Sequence, residues 1–483
     1  MEVIGASDRA SSQSFIALTD MPSEILINIC GYLDYKDLAR CSRISRRLRD
    51  VCAHDAHWKR LCNKYWLETE LPDNTTWKLH FFSLYRNLRR YAHCYAQIKS
   101  AWEKILHFMK ENCPVIFQSI REGTSEEQLD EAERKLGVRL PDDLRCSYRI
   151  HDGQHLASPG LMGSISIPSH YRSEFMLDIE TAVTGFQSRK GLEGCMPLTF
   201  CLHSGQSQVI ALWDTDGHIP FTIFYPSHDL VDYFITGRSF LEWFTSYGDM
   251  LHRNEFVVLD GQPYRFYHEP DCELVTGHIT VKVATCFVPE LSTVNPPHFF
   301  HTYRITMSMS EDASEQDSCQ LETRHWIITD ENGKEDRVDG QGVVGEYPVM
   351  YPGADFSWIS CANLPTTYGN MKGHFVMRNL HTGKYPHLVP ATSQIVRVGV
   401  FHIKLAQYEC PVPHIGKLPV SLNTDTVQEQ SVRPGPQCVK IFSIIGDRTE
   451  VHCPVFHMKC LPYVTSVERE ALKREKHALK KAQ

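Results

Sequence analysis

The sequence predicts a multidomain α+β protein with a helical N-terminal part, a mixed α/β middle part and an all-β C-terminal sandwich. From Leu18 to about Asn112, apolar residues recur at three- and four-residue spacings, which is the helical period. After about residue 160, short apolar runs replace this pattern. From Gly277 to about Ala406, apolar residues alternate and Gly and Pro interrupt them, as is typical of a β-sandwich or barrel. The length of 483 residues fits about three domains.

Composition excludes several classes of protein. Apolar residues make up 42% and charged residues 22%, which argues against a largely disordered or coiled-coil chain. A net charge of −8 argues against a protein that coats nucleic acid, and no apolar run is long enough to predict a membrane span. The 17 cysteines include no C-x-x-C pair, and the N-terminus lacks the apolar run of a signal peptide. We therefore expect reduced thiols in a protein of the nucleus and cytoplasm.

The most informative pattern lies at the N-terminal end. Residues 1–17 are polar and rich in Ser, and we expect a disordered lead-in there. The apolar residues that follow share helical spacing; they are Leu18, Met21, Pro22, Ile25, Leu26, Ile29, Leu33, Leu38, Leu48 and Trp58. A module of about 45 residues cannot bury such a stripe by itself, so the helices of a partner could cover the remainder.

This order, which begins Leu18-Thr-Asp-Met-Pro-Ser-Glu-Ile-Leu26 and ends near Trp58, resembles an F-box over residues 18–64. Met21 stands where the family usually has Leu, and Met is a substitute of similar volume. The resemblance implies that the stripe docks on a Skp-type adaptor and that a cullin and a RING subunit join through that adaptor. The alternative is a helical hairpin whose stripe packs against residues 63–112 of the same chain.

The same region is locally basic, which raises the question of a nucleic-acid surface. Its basic residues outnumber its carboxylates; they are Lys36, Arg40, Arg43, Arg46, Arg47, Arg49, Lys59 and Arg60. The acidic balance of the whole chain favours a solvated face that meets an acidic adaptor surface. We therefore predict no nucleic-acid partner.

The next segment also has helical spacing, and we predict a helical linker over residues 65–117. A capping box at Thr124-Ser-Glu-Glu127 predicts the start of a helix, and Gly137 predicts its end. Pro141-Asp-Asp143 predicts the start of another helix directly afterwards.

This helix pair, followed by His151-Asp-Gly153 and an aromatic helix around Trp243, resembles a SUKH (Smi/Knr-type) domain over residues 118–250. The resemblance implies a mixed α/β binding module with no reaction to assign. His151 and His155 have the spacing of zinc ligands on a helix, but Gly153 between them favours a turn. We predict no metal site.

A third block carries long ungapped motifs. Arg324-His-Trp-Ile-Ile-Thr-Asp330, Val338-Asp-Gly-Gln-Gly-Val-Val-Gly-Glu346 and Gly369-Asn-Met-Lys-Gly373 resemble an ApaG domain over residues 278–408. The resemblance implies an immunoglobulin- or fibronectin-III-like sandwich.

Within this block, Gly340, Gly342 and Gly345 have the spacing of a dinucleotide fingerprint. That fingerprint needs a helix after the glycines, and the prolines that follow exclude one. We expect the glycines to supply positive φ in a loop between strands, and we take this loop with Glu346 as a candidate substrate-binding loop. A nest of N–H groups there could also bind an anion, although Glu346 would oppose it.

The remaining signals are weak. We find no nucleophile elbow, phosphate loop or zinc-protease motif, so we predict no catalytic residues, no metal and no cofactor. Residues 409–483 predict an irregular tail with a short terminal helix, capped by Thr465 and Glu468. His452, Cys453, His457 and Cys460 fall in this tail without the spacing of a metal site.

Together the three resemblances imply a non-catalytic substrate-recognition subunit of an SCF-type (Skp–cullin–F-box) ubiquitin ligase. The F-box would hold the adaptor, and the SUKH- and ApaG-like domains would bind target proteins for ubiquitination and degradation. The alternative is a binding protein outside any ligase, which captures a small anionic ligand or partner through the ApaG-like loop.

Overall fold

The computed structural model describes residues 21–156, 159–167, 170–186, 192–205, 207–213, 217–227, 232–382, 447–465, 467–468, 470–471 and 473–474. Within these ranges the predicted fold class is confirmed, because helices are followed by a mixed α/β domain and then by a β-sandwich. The predicted lead-in, Leu18 and residues 383–446 lie outside the described residues. In the described part of the chain no helix combines the length and apolarity needed to cross a membrane.

The N-terminal module, residues 21–88, consists of short helices packed around buried aromatic rings. They are α1 (Ser23–Cys30), α2 (Tyr35–Cys41), α3 (Arg46–Cys52), α4 (Asp55–Trp66) and α5 (Trp77–Leu88). Asp34, Ser45 and Thr76 cap α2, α3 and α5 by accepting hydrogen bonds from backbone N–H groups of the first turn. Trp58 packs against Phe81 with ring centroids 5.3 Å apart, so α4 and α5 form the centre of the module.

The middle domain packs helices against small antiparallel sheets. Its helices are α6 (Tyr95–Asn112), α7 (Pro114–Ser119), α8 (Glu126–Leu136), α9 (Asp142–Ile150), α10 (Ile179–Thr184) and α11 (Phe240–His252). Its strands are β1 (Ser164–Ile167), β2 (His170–Met176), β3 (Cys195–Pro197), β4 (Thr199–Cys201), β5 (Val209–Ala211), β6 (Ile223–Pro226) and β7 (Tyr233–Gly237). The long helix α6 is the centre of the core, where Trp102 packs against Phe244 of α11 with ring centroids 4.9 Å apart.

The helix pair α8 and α9 also holds a buried cation, which the sequence did not indicate. Arg145 of α9 is 1% exposed, and its guanidinium contacts Glu126 and Asp130 at 2.6 Å and Glu133 at 3.1 Å. Glu133 also accepts a hydrogen bond from the Leu140 N–H at 3.0 Å, which fixes the turn between the helices. The capping box of α8 uses Ser125 and Gln128, one position later than predicted. The acidic residues of α8 therefore neutralise a buried cation as well as facing solvent.

The C-terminal domain is the predicted sandwich of two antiparallel sheets. A hairpin precedes it, formed by β8 (Phe256–Leu259) and β9 (Gln262–Tyr267). One sheet contains β10 (Glu273–Thr276), β11 (Ile279–Phe287), β12 (Phe299–Met309) and β16 (Asp355–Leu364). The other contains β13 (Cys319–Asp330), β14 (Glu335–Gln341), β15 (Val349–Met350), β17 (Tyr368–Asn379) and β18 (Arg448–Lys459). Trp326, Trp358 and Phe375 fill the space between the sheets.

The prediction of an irregular tail is wrong for residues 448–459. These residues form β18, which pairs with β17 along most of its length and buries Val451, Cys453 and Phe456 in the sandwich core. The sequence hides this strand because β18 has a bulge between Cys453 and Phe456, where it pairs with Gly373 and Met371 of β17. The bulge breaks the simple alternation of buried and exposed residues. The predicted cap of the terminal helix is confirmed, since Thr465 and Glu468 exchange hydrogen bonds.

The middle domain and the sandwich are joined more closely than the sequence predicts. Strand β9 pairs with β1 at Ser164–Tyr264 and with β11 at Tyr267–Thr285, so one sheet runs through both domains. After β18 the chain returns to the middle domain, where β19 (Tyr463–Val464) pairs with β7. The two domains are thus connected by backbone pairing at two separate places.

A buried ionic network lies at this junction. Arg172 and Glu174 are on β2, and Glu290 is in the turn between β11 and β12 of the sandwich; they are 0%, 0% and 2% exposed. The Arg172 guanidinium contacts both carboxylates. Tyr225 of β6 donates a hydrogen bond to Glu174 at 2.5 Å, and Arg265 of β9 lies 3.3 Å from the same carboxylate.

Charge compensation explains why these ions tolerate burial. Burial acts to lower the pKa of Arg172, but the charges of Glu174 and Glu290 outweigh it and raise that pKa well above its ordinary value. Arg172 therefore stays charged between two carboxylates that belong to different domains.

We predict that Glu290→Gln lowers the free energy of unfolding by about 3 kcal/mol, because it leaves Arg172 buried with a single carboxylate. Urea denaturation followed by tryptophan fluorescence measures the shift in midpoint. The matched control is Glu335→Gln on the exposed strand β14, which should change the midpoint little. Equal midpoints for the two variants would contradict this role of the network.

Candidate protein-docking surfaces

The structure divides the predicted adaptor-binding stripe into a buried half and an exposed half. Leu26, Leu38, Leu48 and Trp58 are between 0% and 6% exposed and lie in the core of the module. Trp58 is further held by a 2.8 Å hydrogen bond from its indole N–H to the Cys52 carbonyl. In this conformation these four side chains stabilise the module and are not available to a partner.

The exposed half forms one face of α1. Pro22, Ile25 and Ile29 are exposed at the helical spacing of three and four residues, and Tyr32 continues the same face beyond the helix end. Ile25 and Ile29 are 47% and 41% exposed, and Tyr32 is 91% exposed. Met21 and Leu33 are half-buried at the two ends. We call Pro22, Ile25, Ile29 and Tyr32 the α1 face.

Sequence reasoning missed two exposed apolar residues of this module. Tyr32 stands directly after the predicted stripe, and Ile44, which is 70% exposed, lies in the turn between α2 and α3. The signal for Tyr32 was its spacing of three from Ile29. Ile44 has helical spacing from Leu48, and only the packing of α2 and α3 shows that Ile44 is exposed.

Polar contacts hold the α1 face in position. Arg47 donates a hydrogen bond to the Met21 carbonyl at the start of α1, and Arg60 donates one to the Leu33 carbonyl beyond its end, at 2.5 Å. Arg47 and Arg60, two members of the basic cluster, therefore stabilise the folded module. Asp34 follows directly and accepts a 2.5 Å hydrogen bond from the Tyr65 hydroxyl. Burial acts to raise the pKa of Asp34, but the hydrogen bonds from Tyr65 and the Tyr35 N–H outweigh it and lower the pKa.

The candidate substrate-binding loop is a tight turn at the end of β14. Val343 and Glu346 exchange backbone hydrogen bonds of 2.9 and 2.8 Å around Val344 and Gly345. Both central residues have positive φ, +44° for Val344 and +86° for Gly345, as in a type I′ turn. A β-branched residue rarely adopts this conformation, so the turn holds Val344 under strain and 51% exposed.

The expected role of the glycines is confirmed for Gly342 and Gly345, which have positive φ, and is wrong for Gly340. A Cβ on Gly340 would lie 2.8 Å from the Arg324 guanidinium, so Gly340 leaves room for that side chain. Arg324 in turn donates hydrogen bonds to the carbonyls of Gln341 and Gly342 at 2.9 and 2.7 Å. The strand β15 follows the loop where a dinucleotide site would need a helix.

Exposed apolar residues surround the loop, and the sequence did not reveal their exposure. These residues are each between 42% and 55% exposed; they are Val338, Val344, Tyr347, Val349 and Tyr351. We call them the sandwich patch. β14 is an edge strand of its sheet, and its side chains are exposed along nearly its whole length.

The histidines and cysteines of the described residues were considered as metal ligands. Among the residues that the structure describes, no three His, Cys, Asp or Glu side chains converge as metal ligands do. His325, His374 and His452 lie side by side on neighbouring strands, with ring centroids 4.8 and 6.0 Å apart. His325 is already bonded to Asp339 at 2.8 Å and to Thr323 at 2.9 Å. His452 and Cys453, which the sequence placed in a loose tail, are ordered in β18.

Comparison with known proteins agrees with this arrangement. The F-box-like family model matches residues 18–64, the SMI1/KNR4 (SUKH-1) model matches residues 123–246, and the ApaG domain model matches residues 289–379. The fold and its exposed α1 face therefore define an F-box substrate receptor with two further domains, and none of the three models is that of an enzyme.

Individual relatives identify the family. The chain is 44% identical to F-box only protein 3 of Bos taurus over 376 residues, which covers 76% of this chain and 80% of that protein. It is 25% identical to F-box protein SKIP16 of Arabidopsis thaliana over 449 residues, covering 82% and 99% of the two chains. Protein ApaG of a Bradyrhizobium species is 39% identical over 119 residues, which covers 25% of this chain and 88% of that protein. The chain belongs to the F-box only protein 3 family.

We predict that Val344→Asn leaves the protein as stable as the wild type or raises its stability by about 1 kcal/mol, because Asn tolerates positive φ. Thermal unfolding measures the change. Val338→Asn, at an exposed strand position in the same loop region, is the matched control and should destabilise slightly. An equal loss of stability in both variants would show that Val344 is not strained.

Proposed function

We propose that this protein is the substrate-recognition subunit of an SCF-type ubiquitin ligase and that the α1 face docks on the Skp-type adaptor. The proposal rests on the division of the apolar stripe into a buried half and an exposed half. The module has a complete core of its own, yet Ile25 and Ile29 remain exposed at helical spacing beside Tyr32. A partner helix that covers this face would bury apolar area without disturbing the core.

In such a complex the cullin and the RING subunit join through the adaptor, and the chemistry of ubiquitin transfer belongs to other subunits. The receptor contributes proximity, because a bound target lysine is held near the charged thioester at a high effective concentration. The rigid junction between the middle domain and the sandwich supports this role, since a target bound to one domain keeps a fixed position relative to the other.

We further propose that target proteins bind the middle domain and the sandwich, with the sandwich patch as a principal contact. Exposed Tyr347 and Tyr351 are of the residue type enriched in protein interfaces. The strained turn displays Val344 in a fixed conformation, which lowers the entropy cost of binding. We propose the nucleus and cytoplasm as the site of action, because the cysteines of the described residues are free thiols.

The alternative function, capture of a small anion by the loop, has less support. The N–H groups of Gly342, Val343 and Glu346 already donate to carbonyls within the protein. The Glu346 carboxylate adds negative charge, and the side chains around the turn are apolar. These features favour a protein partner at this loop.

The adaptor contact is tested by Ile25→Asp combined with Ile29→Asp. We expect the double variant to retain at least about tenfold less adaptor and cullin in co-purification, because it places two charges in an apolar seam. Both positions are exposed, so folding should be unaffected. Leu26→Asp is unsuitable here, since Leu26 is 1% exposed and its loss would unfold the module.

Leu79→Asp is the matched control, because Leu79 is 63% exposed on α5 and lies outside the α1 face. It should retain both partners. If the wild-type chain retrieves neither adaptor nor cullin, or if the double variant retrieves as much as the wild type, the proposed docking mode is wrong.

The target contact is tested by Val344→Asp combined with Tyr347→Asp in proximity labelling from the full chain. We expect the variant to lose a set of labelled proteins while adaptor labelling stays constant. Val455→Asp, on an exposed position of β18, is the control and should keep that set. An unchanged set in the double variant would place target binding elsewhere.

A further inference from the structure

A small pocket lies where the connecting hairpin meets the outer face of the sandwich. Its volume is about 230 Å³. Residues of β8 and of the turn before it form one side, and β11 and β12 form the other. It is distinct from both the α1 face and the sandwich patch.

Arg304 of β12 is the central cation of this pocket. Its guanidinium donates hydrogen bonds to the hydroxyls of Thr306 at 2.8 Å and Ser357 at 2.6 Å. Within the described part of the chain no carboxylate lies at ion-pair distance from Arg304, and the guanidinium makes no other hydrogen bond there. Partial burial lowers the pKa of Arg304, as expected for a cation that loses water without gaining a counter-charge.

The charged groups around Arg304 do not neutralise the positive charge of its guanidinium. Lys282 also lines the pocket, and the strand register, which pairs it with Thr306, places it diagonally across from Arg304. Lys282 contacts Glu273 at 3.0 Å, and the one carboxylate of the lining, Glu255, contacts Arg253 at 2.5 Å. Each of these pairs is neutral as a unit. Arg304 is therefore the charge without compensation.

His268 adds a further hydrogen-bond donor or acceptor to the wall of the pocket. His268 lines the pocket, and its Nδ1 donates a hydrogen bond to the Val283 carbonyl at 3.0 Å. This contact fixes the ring and places Nε2 on the opposite edge. The pocket thus combines one partly buried guanidinium, a nearby ammonium, a hydroxyl and an imidazole.

We propose that this pocket binds a phosphate monoester, with Arg304 as its main anchor. A guanidinium with free N–H groups suits the fork geometry of phosphate oxygens, and Thr306 and Lys282 supply further donors. The volume is below the roughly 300 Å³ at which drug-sized pockets begin, so it admits a phosphorylated side chain or a small phosphate ester rather than a nucleotide. A bound dianion would offset the cost of burying Arg304.

The test is calorimetric titration of the full chain with three probes at constant ionic strength. They are inorganic phosphate, glycerol 3-phosphate, and an acetylated Gly-phosphoserine-Gly amide paired with its unphosphorylated form. We expect phosphate-dependent binding in the wild type and at least about tenfold weaker binding in Arg304→Gln. Tighter binding of the peptide than of glycerol 3-phosphate identifies a phosphorylated protein as the source, and the reverse identifies a free ester.

Two further variants control for the loss of a surface charge and for a failure of Arg304→Gln to fold. Arg337→Gln on exposed β14 removes a surface arginine of equal charge and should bind all probes as the wild type does. Lys282→Gln, at an exposed position where folding is not at risk, should weaken binding severalfold even if Arg304→Gln fails to fold. The proposal is overturned if the wild type binds none of the phosphate probes at millimolar concentration. It is equally overturned if Arg337→Gln weakens binding as much as the pocket variants do.

Discussion

The architecture depends on the ion pairs that Arg172 makes across the junction of two domains. Arg172 shares Glu174 with Arg265, so these buried charges balance only when Glu290 of the sandwich reaches Arg172. The constraint is mutual, because Glu290 is equally buried and needs Arg172. Together with the strand pairing through β9 and β19, it makes the two domains one body. A receptor that positions a target benefits from such rigidity, because flexible domains would dilute the effective concentration of the bound lysine.

In the N-terminal module, one stripe of apolar residues supplies both core residues and exposed residues. Small helical modules have little interior, and this one devotes Leu26, Leu38 and Trp58 to its own core. The remaining residues of the same stripe, Ile25 and Ile29, are exposed because they lie outside the side of α1 that packs into the module core through Leu26 and Cys30. Internal packing is therefore shown for Leu26, Leu38 and Trp58, whereas partner docking remains our proposal for Ile25 and Ile29. The rotation of α1 decides which residues of the stripe are buried.

The sandwich shows how one β domain can carry two chemically different surfaces. Edge strand β14 leaves apolar side chains uncovered around a strained turn, which suits a protein partner. The outer face of β11 and β12 instead carries Arg304 with hydroxyl neighbours, and among the described residues no carboxylate lies at ion-pair distance from it, which suits an anion. The backbone is similar in both places. The difference comes from which strand faces water and from which charges the neighbouring hairpin brings.

The sequence alone determined the class of each domain, since helical spacing, strand alternation and the F-box, SUKH and ApaG motifs are local features. It also located the α1 stripe and the positive φ of Gly342 and Gly345, because turn chemistry depends on a few adjacent residues. It could not reveal that Arg172 pairs with Glu290, that residues 448–459 complete the sandwich, or that Leu26 is buried while Ile25 is exposed. These facts depend on which distant segments meet. Burial and charge compensation are properties of the folded surroundings, so only the tertiary structure decided them.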